Sequence, residues 1–172
     1  MDRLGRPAFT EPMIDGYPRT LTVIAAVGAA LSAGVFFAFS TFVMQALRRL
    51  PDEQGLAAMQ AINKAAPTPL FMLALFGTAA LCLVLGVVAL RHLGEPWAAW
   101  LLAGAGLYLV AIVLTIAYHV PHNDSLALVD PHGAGAASAW TAYAGPWTAW
   151  NHVRTLGSLA GAVCFVLALG AG

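Results

Sequence analysis

The sequence predicts an all-α membrane protein: a four-helix transmembrane bundle with short interfacial helices in the first and third connections. Three observations carry that prediction. Hydrophobic residues make up 60% of the 172 and charged residues 9%, whereas a soluble domain carries roughly 25% charged residues. Too little charge is present to coat a surface exposed to water, and the mean hydropathy is +0.77. Four apolar runs follow one another at 21–47, 69–90, 97–120 and 151–170. Each approaches the ~20 residues that cross a ~30 Å hydrocarbon layer. None alternates as a barrel strand would, so helices, which satisfy their own backbone groups, are the fold expected in lipid.

Taken in order, residues 1–20 form a polar tail with Pro7, Pro12, Gly16 and Pro18. The apolar run behind it is far longer than the ~7–15-residue core of a signal peptide and lacks a cleavage pattern after it. Residues 21–172 then form a single membrane domain. The first two runs carry no charge, the third only His119, and the fourth only His152 and Arg154 at its start. Small residues on these runs mark faces where backbones can approach closely: Gly28, Ser32, Gly34 and Ser40, then Gly104 and Gly106, then Gly157, Ser158 and Gly161.

The connections differ. Residues 91–96 make a short turn. In the first connection, Pro51-Asp52-Glu53 has the form of a helix start, with proline early and acids in the first turn. Leu56, Met59 and Ile62 then recur every three residues, the pattern of a short helix lying on the membrane surface. The third connection, 121–146, is the longest. It holds His122, Asn123, Asp124, Asp130, His132, Trp140 and Tyr143 but no lysine or arginine, and 134–143 suits a second interfacial helix.

Four spans put both termini on one side and the first and third connections together on the other. Arg3, Arg6, Arg19 and Arg91 fall on the terminal side, and Arg48, Arg49, Lys64 and Arg154 on the opposite one. This even split sets no orientation by the positive-inside rule. Net charge is zero and no basic stripe exists, so nucleic acid is not an expected partner. Cys82 and Cys164 sit inside apolar runs and read as small hydrophobes. The partners implied are membrane lipids and an apolar aromatic molecule or lipid; homo-oligomerisation is left open. The location expected is the cell membrane.

Topology brings three polar stretches to one face: Gln60, Asn63 and Lys64; Tyr118 to Asp124; and Trp147 to Arg154. Polar and ionisable groups at the edge of a span are costly and tend to mark a site. Asn151 and Arg154, three apart, share a helix face, while His152 is turned about 100° from Asn151. Plainer roles compete with functional ones. Trp140 and Trp147 fit an aromatic belt at the interface, Arg154 fits a side chain reaching for headgroups, and His92 and His132 fit solvated turns. His119, His122, Asp124 and His152 are of the right types to bind metal, and His119 with His152 to clamp a haem. However, no HExxH or paired-cysteine framework accompanies them. Ser40, Ser125 and Ser138 lack a GxSxG setting, and no span carries the mid-membrane acid or sharp proline break of a transporter.

The chain resembles the DUF1772 family of small four-helix membrane proteins, which includes the fungal anthrone oxygenases. The resemblance is carried by residues 34–40 (GVFFAFS) with Phe42-Val43-Met44 and Ala46-Leu47, by 58–63 (AMQAIN), and by 120–124 (VPHND) with Leu126-Ala127. Trp140, Tyr143, Trp147 and 150–155 (WNHVRT) complete it. Where the family commonly has asparagine before the Val-Pro step, this chain has His119. The resemblance implies oxidation of an electron-rich polycyclic phenol by O2, with no added cofactor and O2 as co-substrate. Read against that chemistry, a histidine is the base for an acidic methylene, His152 first and His119 second. Donors for the enolate oxygen are sought in Asn123, Asn151 and Arg154, with Gln60 and Asn63 beside them. Trp147, Trp150 and Phe39 or Phe42 are available to flank a flat ring. The alternative is a non-catalytic protein holding a lipid, a quinone, a haem or a metal in the same pocket.

Overall fold

The computed structural model describes residues 14–171. The polar tail expected over 1–20 lies outside the described residues as far as residue 13. Its last part is already helical, because Pro18 with its fixed φ suits a first helical turn. Helix α1 spans Tyr17–Leu47, α3 spans Pro69–Leu90, α4 spans Pro96–Ala127 and α5 spans Ala136–Gly170; α2, Asp52–Ala65, fills the first connection. The described residues contain no strand. The four long helices are each long and apolar enough to cross a membrane, and they pack as an up-down bundle.

Each helix start has a local cause. Thr68 caps α3 by accepting a hydrogen bond from the Phe71 amide at 3.2 Å, and Pro69 opens the first turn. Pro96 opens α4. Asp52 and Glu53 occupy the first turn of α2 and Lys64 the last, complementing the helix dipole. The helix expected from the spacing of Leu56, Met59 and Ile62 is present, and Leu56 and Met59 are fully buried in a cluster with Trp140 and Tyr143.

The long helices differ in how far they overshoot a bilayer. At 1.5 Å per residue, the 22 residues of α3 roughly match the hydrocarbon layer. The 31, 32 and 35 residues of α1, α4 and α5 extend well past it. The excess lies at one end, where the C-terminal turns of α1 and α4 meet the N-terminal turns of α5 and the surface helix α2. Two cores result. One runs through the bundle, with Cys82, Leu85, Leu101, Tyr108 and Phe165 inside. The other, at the overshooting end, contains Met44, Leu56, Met59, Trp140, Tyr143 and Trp147.

The helical segment expected at 134–143 is present, but as the first turns of α5 rather than a separate piece. The helix continues through Pro146, at the small pair Gly145-Pro146 where no backbone N–H reaches back to the preceding turn. The third connection therefore shrinks to residues 128–135 between α4 and α5. Within the bundle core, α4 and α5 touch through glycines. A methyl group on Gly161 would lie 3.0 Å from the Gly104 carbonyl oxygen, and one on Gly157 would lie 3.0 Å from that of Leu107. Gly28 of α1 is blocked in the same way by Thr78 of α3, whereas Gly34 and Gly106 face open space.

Three helices widen into π-helical turns: Phe39–Val43 in α1, Leu73–Gly77 in α3 and Thr115–His119 in α4. Such turns insert one residue, shift the face presented beyond them, and concentrate at functional sites. Phe39, Phe76, Thr115 and His119 from these turns line one cavity.

Candidate functional site

The cavity holds about 210 Å³ and lies where the two cores meet. Val35, Phe36 and Phe39 come from α1, Met59, Ile62 and Asn63 from α2, and Phe71, Met72, Leu75 and Phe76 from α3. Thr115, His119, Val120 and Asn123 come from α4, and Trp147 and Arg154 from α5. Most of the lining is apolar. The polar groups are few, and they are held by one network.

Arg154 is 5% exposed, and its guanidinium donates through Nη2 to Asn151 Oδ1 at 2.6 Å and through Nη1 to Thr115 Oγ1 at 3.2 Å. Its carbon Cζ stands 4.3 Å from the Phe36 ring centre and 5.4 Å from that of Trp147, within cation–π range. Asn151, fully buried, donates through Nδ2 to the Phe36 carbonyl at 2.7 Å and to Ser40 Oγ at 2.8 Å. Ser40 and Thr155 hydroxyls meet at 3.0 Å. This network ties α1, α4 and α5 together and sets the guanidinium in one orientation. Among the described residues the one ion pair joins exposed His132 and Glu53 at 3.8 Å. No described carboxylate therefore balances Arg154. A buried cation held only by neutral dipoles and aromatic faces is costly, and it is ready for an anion that forms beside it.

His119 is 1% exposed. Its Nδ1 lies 3.2 Å from the Leu114 carbonyl, five residues back across the π turn. A carbonyl can only accept, so Nδ1 carries the proton and the neutral ring keeps its lone pair on Nε2. Nε2 is buried and has no partner. The ring packs edge-on against Trp147, centroids 5.1 Å apart, which in turn tilts against Phe39 at 5.7 Å. Four buried side-chain atoms among the described residues have no hydrogen-bond partner: His119 Nε2, Arg154 Nε, Asn63 Nδ2 and Ser158 Oγ. Three of these residues, His119, Arg154 and Asn63, line this one cavity, so a base, a cation and an amide with unmade bonds are gathered around it.

Asn123 completes the site. Its Oδ1 accepts from Trp147 Nε1 at 2.9 Å and from Tyr143 Oη at 2.7 Å. Indole N–H only donates, so this oxygen is the carbonyl and the amide NH2 is left free. Gln60 acts elsewhere. Its Nε2 donates to the carbonyls of Leu126 at 2.8 Å and Val129 at 2.9 Å, which pins α2 to the end of α4.

The sequence-predicted residues thus separate. His119, Asn123, Asn63, Trp147 and Arg154 meet at the cavity, with Asn151 directly behind Arg154. His152, the first choice as base, is exposed and does not line it. The 100° step from Asn151 that turns Asn151 inward turns His152 outward. Trp150, about 100° from Asn151 in the opposite sense, is 43% exposed on the other flank of α5 and tilts against Tyr118 at 5.5 Å. Phe39 flanks the cavity while Phe42 is exposed. The metal set His119, His122, Asp124 and His152 is not assembled. His122 stacks on Tyr118 at 3.8 Å with its Nδ1 on the Tyr118 carbonyl, and no cluster of three His, Cys, Asp or Glu suited to a metal occurs among the described residues. For the same reason His152 does not face His119 across a haem site. Sequence reasoning alone does not assign Phe36, Thr115 or Tyr143 to the site. Thr115 lies four before His119, a spacing that puts both on one face and marks it in retrospect.

These features define a class: a small multi-pass membrane protein whose four apolar helices carry a buried polar site at one end. A family model described as Anthrone oxygenase matches residues 71–164, more than half of the 172, and the chain belongs to that family. The match covers His119, Asn123, Trp147, Asn151 and Arg154, and stops short of α1 and α2, which supply Phe36, Phe39 and Asn63. No curated protein and no solved structure matches the chain.

Proposed function

We propose that the protein is an oxygenase of flat, electron-rich phenols of the anthrone type, acting in the cell membrane with O2 as co-substrate and with no other cofactor. One observation carries this reading: a single cavity is lined both by His119, whose Nε2 has no partner, and by Arg154, whose Nε has none. The overall reaction converts a methylene and O2 to a carbonyl and water. His119 Nε2 takes a proton from the acidic methylene. The ring oxygen that gains negative charge is held by Arg154 Nε–H and the free amide of Asn123, donors already oriented by Thr115, Asn151, Tyr143 and Trp147. The enolate passes an electron to O2, and the carbon and superoxide radicals join as a peroxide anion. The imidazolium of His119 returns its proton to that peroxide. Loss of water, with cleavage of the O–O bond and the remaining C–H bond, leaves the quinone carbonyl and restores the neutral base.

The apolar lining by Val35, Phe36, Met59, Ile62 and Phe71 also favours a second reading, in which a quinone or lipid is bound without turnover. Purified protein in nanodiscs, supplied with anthrone and air, separates the two. Turnover is expected, and His119→Ala should lower it by about 10²–10⁴-fold, the range for a general base. His119→Asn, which restores the residue common in the family, should lose as much, because an amide cannot take the proton. Retained activity in His119→Asn would move the role of this position from base to hydrogen-bond donor. Binding with no turnover would leave the second reading, and a Soret band in the visible spectrum would replace both with a haem protein.

A further inference from the structure

The inner cavity is not the only space at this end of the bundle. A second chamber of about 580 Å³ lies between α2 and the end of α4. The two share Asn63, Pro67, Val120 and Asn123 as lining, so they lie side by side with these residues between them, which we call the collar. The inner chamber, at about 210 Å³, is smaller than the ~300–1,000 Å³ typical of sites for drug-sized ligands. A ligand larger than a few fused rings must therefore extend beyond it, and the adjoining chamber lies directly past the collar.

The collar and the outer chamber have a definite chemistry. Asn63 Nδ2 is buried without a partner, and Asn123 has committed its oxygen to Tyr143 and Trp147. Two amide NH2 groups with unmade bonds therefore stand at the boundary between the chambers, a setting that favours an acceptor oxygen. The outer chamber has the larger polar share of lining: Gln60 lines it with its Oε1 still free, since only Nε2 is used in tying α2 to α4. Lys64 and Asp124 both line it, one of each sign, so it carries no net charge to select an ion.

We propose that the site has two chambers and that its ligand spans them. A flat apolar ring system lies in the inner chamber, and a neutral hydrogen-bonding substituent, a hydroxyl on a short arm, passes between Asn63 and Asn123 into the outer one. This deepens the oxygenase reading by naming its substrate class, and it rests on the inner chamber being the reaction site. Binding of quinones that do not turn over keeps its failure separate from a failure of catalysis.

The test measures Kd in nanodiscs, with empty nanodiscs subtracted, for anthraquinone, 2-(hydroxymethyl)anthraquinone and anthraquinone-2-sulfonate. The hydroxymethyl compound should bind about tenfold more tightly than anthraquinone, the gain expected from satisfying one buried donor, and more tightly than the sulfonate. Ala61 lines only the outer chamber. Ala61→Trp should fill that space and bring the ratio of hydroxymethyl to unsubstituted Kd to about one, while Ala61→Ser should keep the preference near tenfold. If Ala61→Trp does not fold, Ala57→Phe, on the same chamber, replaces it. Equal binding of the two neutral compounds, a preference that survives the filled chamber, or tighter binding of the sulfonate would each overturn the proposal.

Discussion

The two ends of the bundle are built on opposite terms. Towards the termini, α4 and α5 run as regular helices packed through Gly104, Gly157 and Gly161 around Leu101, Tyr108 and Phe165. Polar groups there are few, and apart from Ser158 Oγ they are satisfied: Tyr108 donates to the Leu75 carbonyl at 3.0 Å and meets Ser32 at 2.9 Å. At the other end three helices widen into π turns, α5 carries Pro146, and a base and a guanidinium are buried with bonds left unmade. The first half maximises contact between backbones in lipid, where small residues and van der Waals packing drive association. The second half forgoes regular geometry and full hydrogen bonding to enclose a cavity. In membrane helices unsatisfied ionisable groups are expensive, so their concentration at one end is what locates the site.

The contrast breaks most sharply at Arg154. Arg154→Met should lower anthrone turnover by about 10²–10³-fold, the effect of removing an oxyanion donor, and Arg154→Lys should not rescue it. An ammonium gathers its donors on one atom and cannot reproduce the planar fork whose Nη1, Nη2 and Nε serve Thr115, Asn151 and the ligand separately. Steady-state kinetics should show the loss in kcat rather than KM. At the packed end the effect should be on stability alone. Gly161→Leu pushes a side chain against the Gly104 carbonyl and Tyr108 and should cost about 1–3 kcal/mol, as overpacking does. The readout is a lower Tm with activity per folded molecule retained. Tyr108→Phe is a smaller change. It removes the hydroxyl that serves the Leu75 carbonyl and should cost about 0.6 kcal/mol, the mean for hydrogen bonds between membrane helices, by the same thermal assay. The smallest effect belongs to His152, exposed and outside the cavity. His152→Ala should leave turnover and Tm at wild-type values, and a large loss of turnover would show that the outer face of α5 takes part.

Particular residues explain how much of this was legible in advance. The four spans were, because uncharged runs of this length have no other stable fold in lipid. The short helix α2 followed from the spacing of Leu56, Met59 and Ile62, and the shared face of Asn151 and Arg154 from theirs. The choice between His119 and His152 did not follow. Helical spacing relates residues on one helix to each other, but rotation of the helix about its own axis is set by its neighbours. Here Phe36, Ser40 and Thr115 draw Asn151 and Arg154 inward, and His152 is turned out as a consequence. On α4 the π turn at Thr115–His119 adds a residue to the cycle, so the phase read from the regular part of the helix no longer applies at His119.

Apolar composition and run length by themselves determined an all-α membrane bundle and the end at which its polar groups collect, because an unpaired backbone is not tolerated in hydrocarbon. Only the tertiary structure decided which of those groups converge. It made α5 continuous through Pro146, left His119 Nε2 and Arg154 Nε without partners on residues that line one cavity, and set a second chamber beside it at Asn63 and Asn123. These outcomes depend on the packing of five helices against one another, which no single stretch of sequence encodes.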